Sequence, residues 1–225
     1  MKDMTMRKAS TLVGLIGLLA AVATAGTARA QEGTGTPVAA AEASPAPASQ
    51  RRLALNLAFV PMSLGKIEAS YGGMIKKPDA AFAPGVSISV SYRVVEGLTL
   101  GLAPQVFFNV GPKEDPLEQG SSINMFTEID AMARVAYVQP LVETIAVYVE
   151  ALPGYSILKP QNGDPAKGFV IAASAGLVMD LTDRIFVNLA GGYQVGFQSR
   201  TDDQGVNTVN KNRFVRTVFG VGWRL

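Results

Sequence analysis

The sequence predicts an all-β fold, an eight-stranded antiparallel up-and-down transmembrane β-barrel. Three observations support this prediction. Eight segments show the period-two alternation of side chains that strands require. The connections between these segments are alternately long and short. The two faces created by the alternation differ sharply, since one carries almost only apolar side chains and the other carries polar and charged ones.

The segment 215–225 shows the alternation most clearly. One side carries Val215, Thr217, Phe219, Val221, Trp223 and Leu225. The other side carries Arg216, Val218, Gly220, Gly222 and Arg224. Side chains of a strand point alternately to opposite faces, so the apolar and aromatic residues share one surface and both arginines share the other. A barrel needs such a last strand to close against its first.

The amino-terminal segments are interpreted separately from the barrel. Lys2, Arg7 and Lys8 precede an apolar run at 12–23, and small residues follow up to Ala30. This order is typical of a secretory signal peptide spanning 1–30. Its removal takes away four basic residues and one acidic residue, so the formal charge of +2 becomes −1. Residues 31–51 are rich in Ala and Pro and are predicted to form a disordered periplasmic tail before a barrel at 52–225.

The eight predicted strands are 53–62, 82–94, 98–110, 126–139, 145–157, 168–181, 185–198 and 212–225. Short connections follow the second, fourth and sixth strands, and Val95-Glu96-Gly97 is an example. Long connections at 63–81, 111–125, 158–167 and 199–211 are rich in Gly, Pro, Asp, Asn and Lys. Barrels of the bacterial outer membrane have short periplasmic turns and longer outer loops. The long loops are therefore expected to face outside.

Two belts of aromatic residues are predicted on the apolar face, at the two membrane–water boundaries where such rings accumulate. Charge is absent from this face except for Arg213 at a loop end, as a lipid-facing surface requires. The predicted interface aromatics are Tyr92, Tyr137 and Trp223 near the turns, and Phe59, Phe108, Tyr155, Phe169 and Phe197 near the loops.

The opposite face is predicted to line a polar lumen. Its charged residues balance in sign, and burying them unpaired would be costly, so a network of ion pairs and hydrogen bonds is expected. Asn109 is assigned to this face as well. The predicted lumen network consists of Arg93, Glu128, Asp130, Arg134, Glu150, Asp180, Arg216 and Arg224.

Pro104 and Pro153 fall inside predicted strands. Proline cannot donate a ladder hydrogen bond, and a closed barrel has no edge at which that loss is harmless. A bulge or a loss of pairing is therefore expected at both residues.

The chain resembles the small outer-membrane β-barrels of the OmpA, OmpX and OmpW kind, which often carry a porin-family label. The resemblance covers roughly 52–225. Within it, Phe219, Val221, Trp223 and Leu225 resemble the C-terminal assembly signal, although the usual last residue is Phe. It implies location in the cell outer membrane, contact with outer-membrane lipid, and recognition by the barrel-assembly machinery.

Three functions are compatible with the sequence. The first is a non-enzymatic envelope barrel whose loops contact an unidentified surface ligand. The second is a narrow OmpW-like channel for small hydrophobic solutes, which the expected filling of an eight-stranded lumen disfavours. The third is an enzyme using lumen carboxylates, but the absence of His and Cys removes the common nucleophile–base pairs and soft-metal ligands. No cofactor, metal or nucleic-acid site is predicted, and the oligomeric state stays open.

Overall fold

The fold was analysed in a computed structural model, which describes residues 52–71, 74–113, 125–161, 163–201, 205 and 207–225. The predicted signal peptide and tail lie outside these residues. Eleven strands are present in the described part of the chain: β1 (Leu53–Phe59), β2 (Met62–Tyr71), β3 (Met74–Lys76), β4 (Gly85–Val95), β5 (Leu98–Leu102), β6 (Gln105–Val110), β7 (Phe126–Val142), β8 (Ile145–Pro160), β9 (Ala166–Asp180), β10 (Ile185–Thr201) and β11 (Asn207–Arg224).

The strands form one closed antiparallel ring. Neighbours along the chain pair with each other from β7 to β11, and β1 pairs with both β4 and β11. β5 and β6 together occupy one place in the ring, between β4 and β7. β1 closes the ring against β11 from Ala54 opposite Arg224 to Phe59 opposite Phe219, and β2 continues this closure. The predicted eight-stranded antiparallel barrel is therefore confirmed.

The predicted long connection at 63–81 is wrong in part. β2 resumes the path of β1 after an interruption at Val60 and Pro61, and it pairs with β11 from Met62 opposite Arg216 to Ser70 opposite Val209. β3 adds a short hairpin to β2. β8, β9, β10 and β11 likewise extend beyond their predicted bounds at the ends away from the short turns, to Pro160 and Thr201 for example. Backbone pairing holds these polar segments as strands, although their side-chain pattern resembles that of loops.

Both prolines coincide with interrupted pairing, as the sequence predicts. Pro104 separates β5 from β6, and its carbonyl accepts a hydrogen bond from the Ile88 amide at 3.2 Å. Two directly opposite residues in a hydrogen-bonded antiparallel pair normally donate one backbone bond each. Because Pro104 has no N–H, its own bond to β4 is missing. Pro153 stays in register with Ile171 of β9, but the β7–β8 pairing omits Ala133 and Arg134.

The two faces of the wall are opposite in character. Large apolar side chains are exposed along every strand of the ring, including Leu57, Ile88 and Leu189. Inward positions are buried and mix apolar residues such as Phe107 and Phe214 with Gln, Ser, Glu and Arg. The described residues include no helix that is long and apolar enough to cross a membrane.

Candidate functional site

The lumen is the candidate site, because it gathers the buried polar and charged side chains of the barrel. We call the end with the connections 96–97, 143–144 and 181–184 the turn end, and the opposite end the loop end. The predicted network separates into three groups along the lumen. Glu128, Asp130 and Arg216 form the loop-end cluster, Arg134 pairs with Glu150 in the middle, and the third group lies at the turn end.

The loop-end cluster is built on two carboxylates of one strand. Glu128 and Asp130 are two residues apart on β7, so both point inward, and each is only 1% exposed. The Gln194 amide of β10 links them, donating to Asp130 Oδ2 at 2.9 Å and to Glu128 Oε1 at 3.5 Å. Ser156 Oγ also donates to Glu128 Oε1, at 3.3 Å. Neutral donors therefore surround both acids.

Arg216 reaches this cluster through an amide and not through a direct ion pair. Its Nη1 donates to Gln194 Oε1 at 3.5 Å, and the side chain is almost fully buried. A second chain of amides approaches from the loop end, where Asn212 donates to Gln198 and Gln198 donates to Ser156 and Glu128. Glu128 Oε2 and Asp130 Oδ1 have no hydrogen-bond partner among the described residues. At such atoms lumen water would complete the hydrogen bonding.

The middle group is an ion pair between neighbouring strands. Arg134 Nε donates to Glu150 Oε2 at 2.7 Å, and both side chains are largely buried. The Arg134 guanidinium also lies 5.9 Å from the centre of the Tyr148 ring. Tyr148 accepts a hydrogen bond from Asn188 Nδ2 at 3.3 Å. These contacts connect β7, β8 and β10 across the lumen.

The turn-end group pairs Arg224 of β11 with Asp180 of β9, at 2.6 Å between Nη2 and Oδ1. The Arg224 guanidinium also lies 5.1 Å from the centre of the Phe186 ring. Arg93 lines the same region, next to a cavity of about 90 Å³ that Arg134 and Arg224 also border. Arg134–Glu150 and Arg224–Asp180 are thus direct ion pairs, whereas Arg216 contacts the acids of the loop-end cluster through Gln194.

Apolar side chains fill the lumen between and beyond these groups. Met62, Phe107, Val110 and Phe214 are fully buried and pack in one cluster that includes Leu158 near the loop end. A second cluster contains Met132, Leu152 and Val170. A middle cavity of only about 30 Å³ remains, bordered by Gln105, Arg134 and Arg216. That volume holds about one water molecule.

Asn109 does not belong to the lumen, contrary to the prediction. Its φ of +57° belongs to a bulge, across which the β6–β7 register shifts between Phe107 and Val110. The bulge exposes Asn109 and turns Val110 inward. Asparagine tolerates this left-handed backbone better than most residues, which explains its presence there.

Sequence reasoning missed three polar residues that hydrogen-bond to the loop-end cluster or to each other beside it. Ser156, Gln198 and Asn212 are buried, and they lie at the ends of predicted strands or one residue inside them. Their parity was a usable signal, since Gln198 follows Gln194 by four residues and Asn212 precedes Arg216 by four. Assigning faces by alternation up to the ends of the predicted strands would have found them.

The predicted interface aromatics all lie on the outer face. Seven are exposed, and Tyr137 is half-buried because its ring lies against the turn at Gly97. Gly97 has a φ of +77°, which favours glycine in this turn. Tyr155, Phe169 and Phe197 are direct cross-strand neighbours and form a continuous row on β8, β9 and β10.

The four residues of the predicted assembly signal lie on the outer face, three of them on β11 and Leu225 directly after it. Phe219, Val221, Trp223 and Leu225 are all exposed there. Their strand pairs with β1 on one side and β10 on the other, so β11 closes the ring. The structure thus places these four side chains on the surface beside the seam.

The outer face carries more charge than the sequence predicts. Arg213 was the single expected exception, but Lys159, Lys167 and Lys211 also follow the outward parity of their strands. The prediction failed because the strands continue beyond the apolar segments that defined them. All four of these cations are confined to the loop end.

No protein-family model and no curated protein matches this chain. Solved structures do match. The outer membrane protein OprG from Pseudomonas aeruginosa aligns with 77% of this chain and 95% of its own, at 12% identity and a TM-score of 0.55. Neisserial surface protein A aligns with 76% of this chain and 99% of its own, at 16% identity and a TM-score of 0.46. Ail of Yersinia pestis aligns with 78% and 100%, at 12% identity and a TM-score of 0.39.

The likeness to OprG concerns the fold alone, because 12% identity supports no transfer of function. The chain has the fold of the small outer-membrane β-barrels. Its lumen chemistry therefore has to be interpreted from its own residues.

Proposed function

We propose that this protein is a non-enzymatic barrel of the bacterial outer membrane, with a structural role in the envelope and with its loop end facing outside. The filled lumen carries this proposal. Fully buried side chains, among them Phe107, Phe214 and Arg216, occupy the space that a diffusion pore would need. Eight strands enclose an interior just wide enough for side chains to fill.

The apolar outer face supports the membrane location. Exposed residues such as Leu102, Phe169 and Leu177 would cause the protein to aggregate in water. A monomeric soluble protein rarely carries so continuous an apolar surface. We expect the protein to remain in the membrane fraction after urea washing and to need detergent for monodispersity. A monodisperse protein in plain buffer that fractionates with the periplasm would contradict the proposal.

Planar-bilayer recording tests the absence of a pore. Pure refolded protein should give no steady conductance steps. The matched variant is Phe107→Ala/Phe214→Ala, which shortens two fully buried side chains near the loop end. It should open water-filled space and raise conductance if these rings block the lumen. Steady steps from the unchanged protein would overturn the structural role.

A narrow route for small hydrophobic solutes is the second candidate, and the interrupted β7–β8 pairing favours it. Ala133 and Arg134 lack regular partners beside Pro153 and Leu152, so a lateral opening would disturb few backbone hydrogen bonds. Uptake of a hydrophobic dye into proteoliposomes tests this route. Pro153→Ala should reduce uptake if the solute passes between β7 and β8, and should leave it unchanged if it does not.

Catalysis by the lumen carboxylates has less support. Glu128 and Asp130 are each 1% exposed, so the described part of the barrel offers a substrate no open path to them. Lipid or peptide turnover that Glu128→Gln abolishes, without loss of folded barrel, would replace the proposed structural role by an enzymatic one.

A further inference from the structure

Four cations form an arc on the outer face at the loop end. They are Lys159 on β8, Lys167 on β9, and Lys211 and Arg213 on β11, and we call them the cationic arc. Lys159, Lys167 and Arg213 are exposed, whereas Lys211 is half-buried. Outward parity assigns all four to the face that carries Tyr155, Phe169 and Val215.

Strand pairing makes the arc continuous. Lys167 lies opposite Ile157 of β8 and Ser199 of β10. Lys159 is the next outward-facing residue of β8 after Ile157. On the other side of β10, Lys211 lies opposite Phe197 and Arg213 lies opposite Val195. The arc therefore covers four neighbouring strands, or about 15 Å at the spacing of strands in a sheet.

The arc borders the row of aromatic rings. Lys167 is the next outward residue beyond Phe169, and the Lys211 ammonium lies 4.8 Å from the centre of the Phe197 ring. Aromatic rows in such barrels mark the boundary between hydrocarbon and headgroups. Long cationic side chains at this boundary extend toward the headgroups. The arc consequently lies at headgroup depth.

Charge on the arc is incompletely balanced by the protein. Within the described ranges, Lys159, Lys167 and Arg213 have no carboxylate within 4.0 Å. The wall on the other side of the barrel differs, because β6 and the approach to β4 present Phe82 and Phe108 at the loop end. Next to the arc on β2, Lys66 lies opposite Arg213, and Glu68 lies opposite Lys211 and forms an ion pair with Lys77 at 3.5 Å. Cations therefore outnumber the one acid on this part of the outer face, which favours an anionic partner.

We propose that the cationic arc binds a lipid headgroup that carries more than one phosphate, in the outer leaflet. The position of the cationic arc favours a lipid over a soluble anion, because the arc lies on the outer wall beside the aromatic row and not at the loop tips. Its width selects several phosphates over one, because a single phosphate cannot contact cations distributed over about 15 Å. This inference rests on the orientation given in the proposed function.

Binding is tested with the full chain folded in detergent and with diphosphoryl lipid A as the probe, followed by native mass spectrometry. The variant Lys159→Gln/Lys167→Gln/Arg213→Gln should weaken binding by at least about tenfold, because each cation near an anionic lipid surface contributes to the binding free energy. The control is Arg52→Gln/Lys113→Gln/Arg184→Gln, which removes the same formal charge from exposed positions outside the arc. It should change binding by less than about twofold.

Three comparisons decide the ligand. Monophosphoryl lipid A and phosphatidylglycerol should bind at least several-fold more weakly than the diphosphoryl form, and inorganic phosphate should not compete at equal concentration. Equal binding of all three lipids would overturn the requirement for several phosphates. Effective competition by inorganic phosphate would show a site for a free anion. Equal losses in the variant and its control would show that the arc is not the site.

Folding and orientation are checked independently of binding. A shift in gel mobility on heating shows whether each variant is folded, and if the triple variant fails, Arg213→Gln should alone weaken binding by several-fold. The chain has no Cys, so Asp164→Cys provides one label site at the loop end. Labelling by an impermeant maleimide in intact cells supports the orientation. Weak lipid binding with normal labelling rejects the arc alone, whereas absent labelling rejects the proposed function.

Discussion

Glycine and aromatic residues are paired across strands in this lumen. Phe186 of β10 lies directly opposite Gly222 of β11, and a Cβ atom at Gly222 would overlap the Phe186 ring. The same ring supports the Arg224 guanidinium, which binds Asp180. Because Gly222 has no side chain, the Phe186 ring fits beside it and can pack against Arg224 of the turn-end ion pair.

Gly222→Ala should destabilise the barrel by about 1–3 kcal/mol, because the new methyl group forces the Phe186 ring out of its position. Urea unfolding of the barrel in lipid vesicles measures the change. Gly191→Ala is the matched control on the neighbouring strand, since nothing lies within 4 Å of its added Cβ. Equal unfolding midpoints for the two variants would contradict the packing argument.

Arg134 and Glu150 should behave as a coupled pair. Glu150→Gln or Arg134→Met alone should lower the free energy of unfolding by about 1–3 kcal/mol, because either change leaves the other group buried without its countercharge. The double variant should lose less than the sum of the two single losses. A double-mutant cycle by urea unfolding measures this coupling, and strictly additive losses would show that the 2.7 Å contact contributes nothing.

Strand elements in this barrel are defined by pairing and interrupted by proline. β1 and β2 share one side of β11 around Pro61, and β5 and β6 share one place in the ring around Pro104. Pro153 interrupts pairing on one side of β8 only. The two neighbouring strands β5/β6 and β7 therefore have an interrupted ladder on each side. Pro104 interrupts the pairing with β4, and Pro153 interrupts the pairing with β8.

Pro153→Ala should restore a backbone donor toward β7 and stabilise the barrel by about 1 kcal/mol. Amide hydrogen exchange of residues 131–135 should slow, because the β7–β8 ladder becomes continuous there. Pro140→Ala is the control, since Pro140 already lies in a paired position opposite Ala146 near the turn end. Unchanged exchange at 131–135 in the Pro153 variant would show that the irregularity has another cause.

For the whole molecule, closure depends on the seam that β1 and β2 form with β11, which runs from Ala54 opposite Arg224 to Ser70 opposite Val209. The outer side of this seam carries aromatic residues, and the inner side carries glycine beside Asn56. Closure removes the exposed strand edges that an open sheet would present.

Phe219→Ala/Trp223→Ala should lower the amount of folded barrel in the outer membrane several-fold, because both side chains belong to the predicted assembly signal on β11. The heat-modifiable fraction in isolated membranes measures this amount. The control Val187→Ala/Leu189→Ala removes apolar groups from the same face of the neighbouring strand β10. Similar losses in both variants would indicate a general effect of apolar surface and would contradict a specific signal.

Much of the fold follows from local sequence pattern. Strand alternation is a property of consecutive residues, so the eight strands, the short turns and the apolar outer face could be predicted. The same argument failed at Asn109, where one bulged residue reverses the parity that follows. It also missed Lys159, Lys167 and Lys211, because polar residues at the strand ends do not show whether pairing continues.

By itself, the sequence determined the all-β barrel and the separation of an apolar outer face from a polar inner one, since both depend on the two-residue period of a strand. Only the tertiary structure decided which lumen groups meet. Gln194 reaches Glu128 and Asp130 across more than 60 residues, and Arg224 reaches Asp180 across 44. Such partners depend on the stagger of strands around the closed ring, and that stagger is a property of the assembled sheet and not of any one segment.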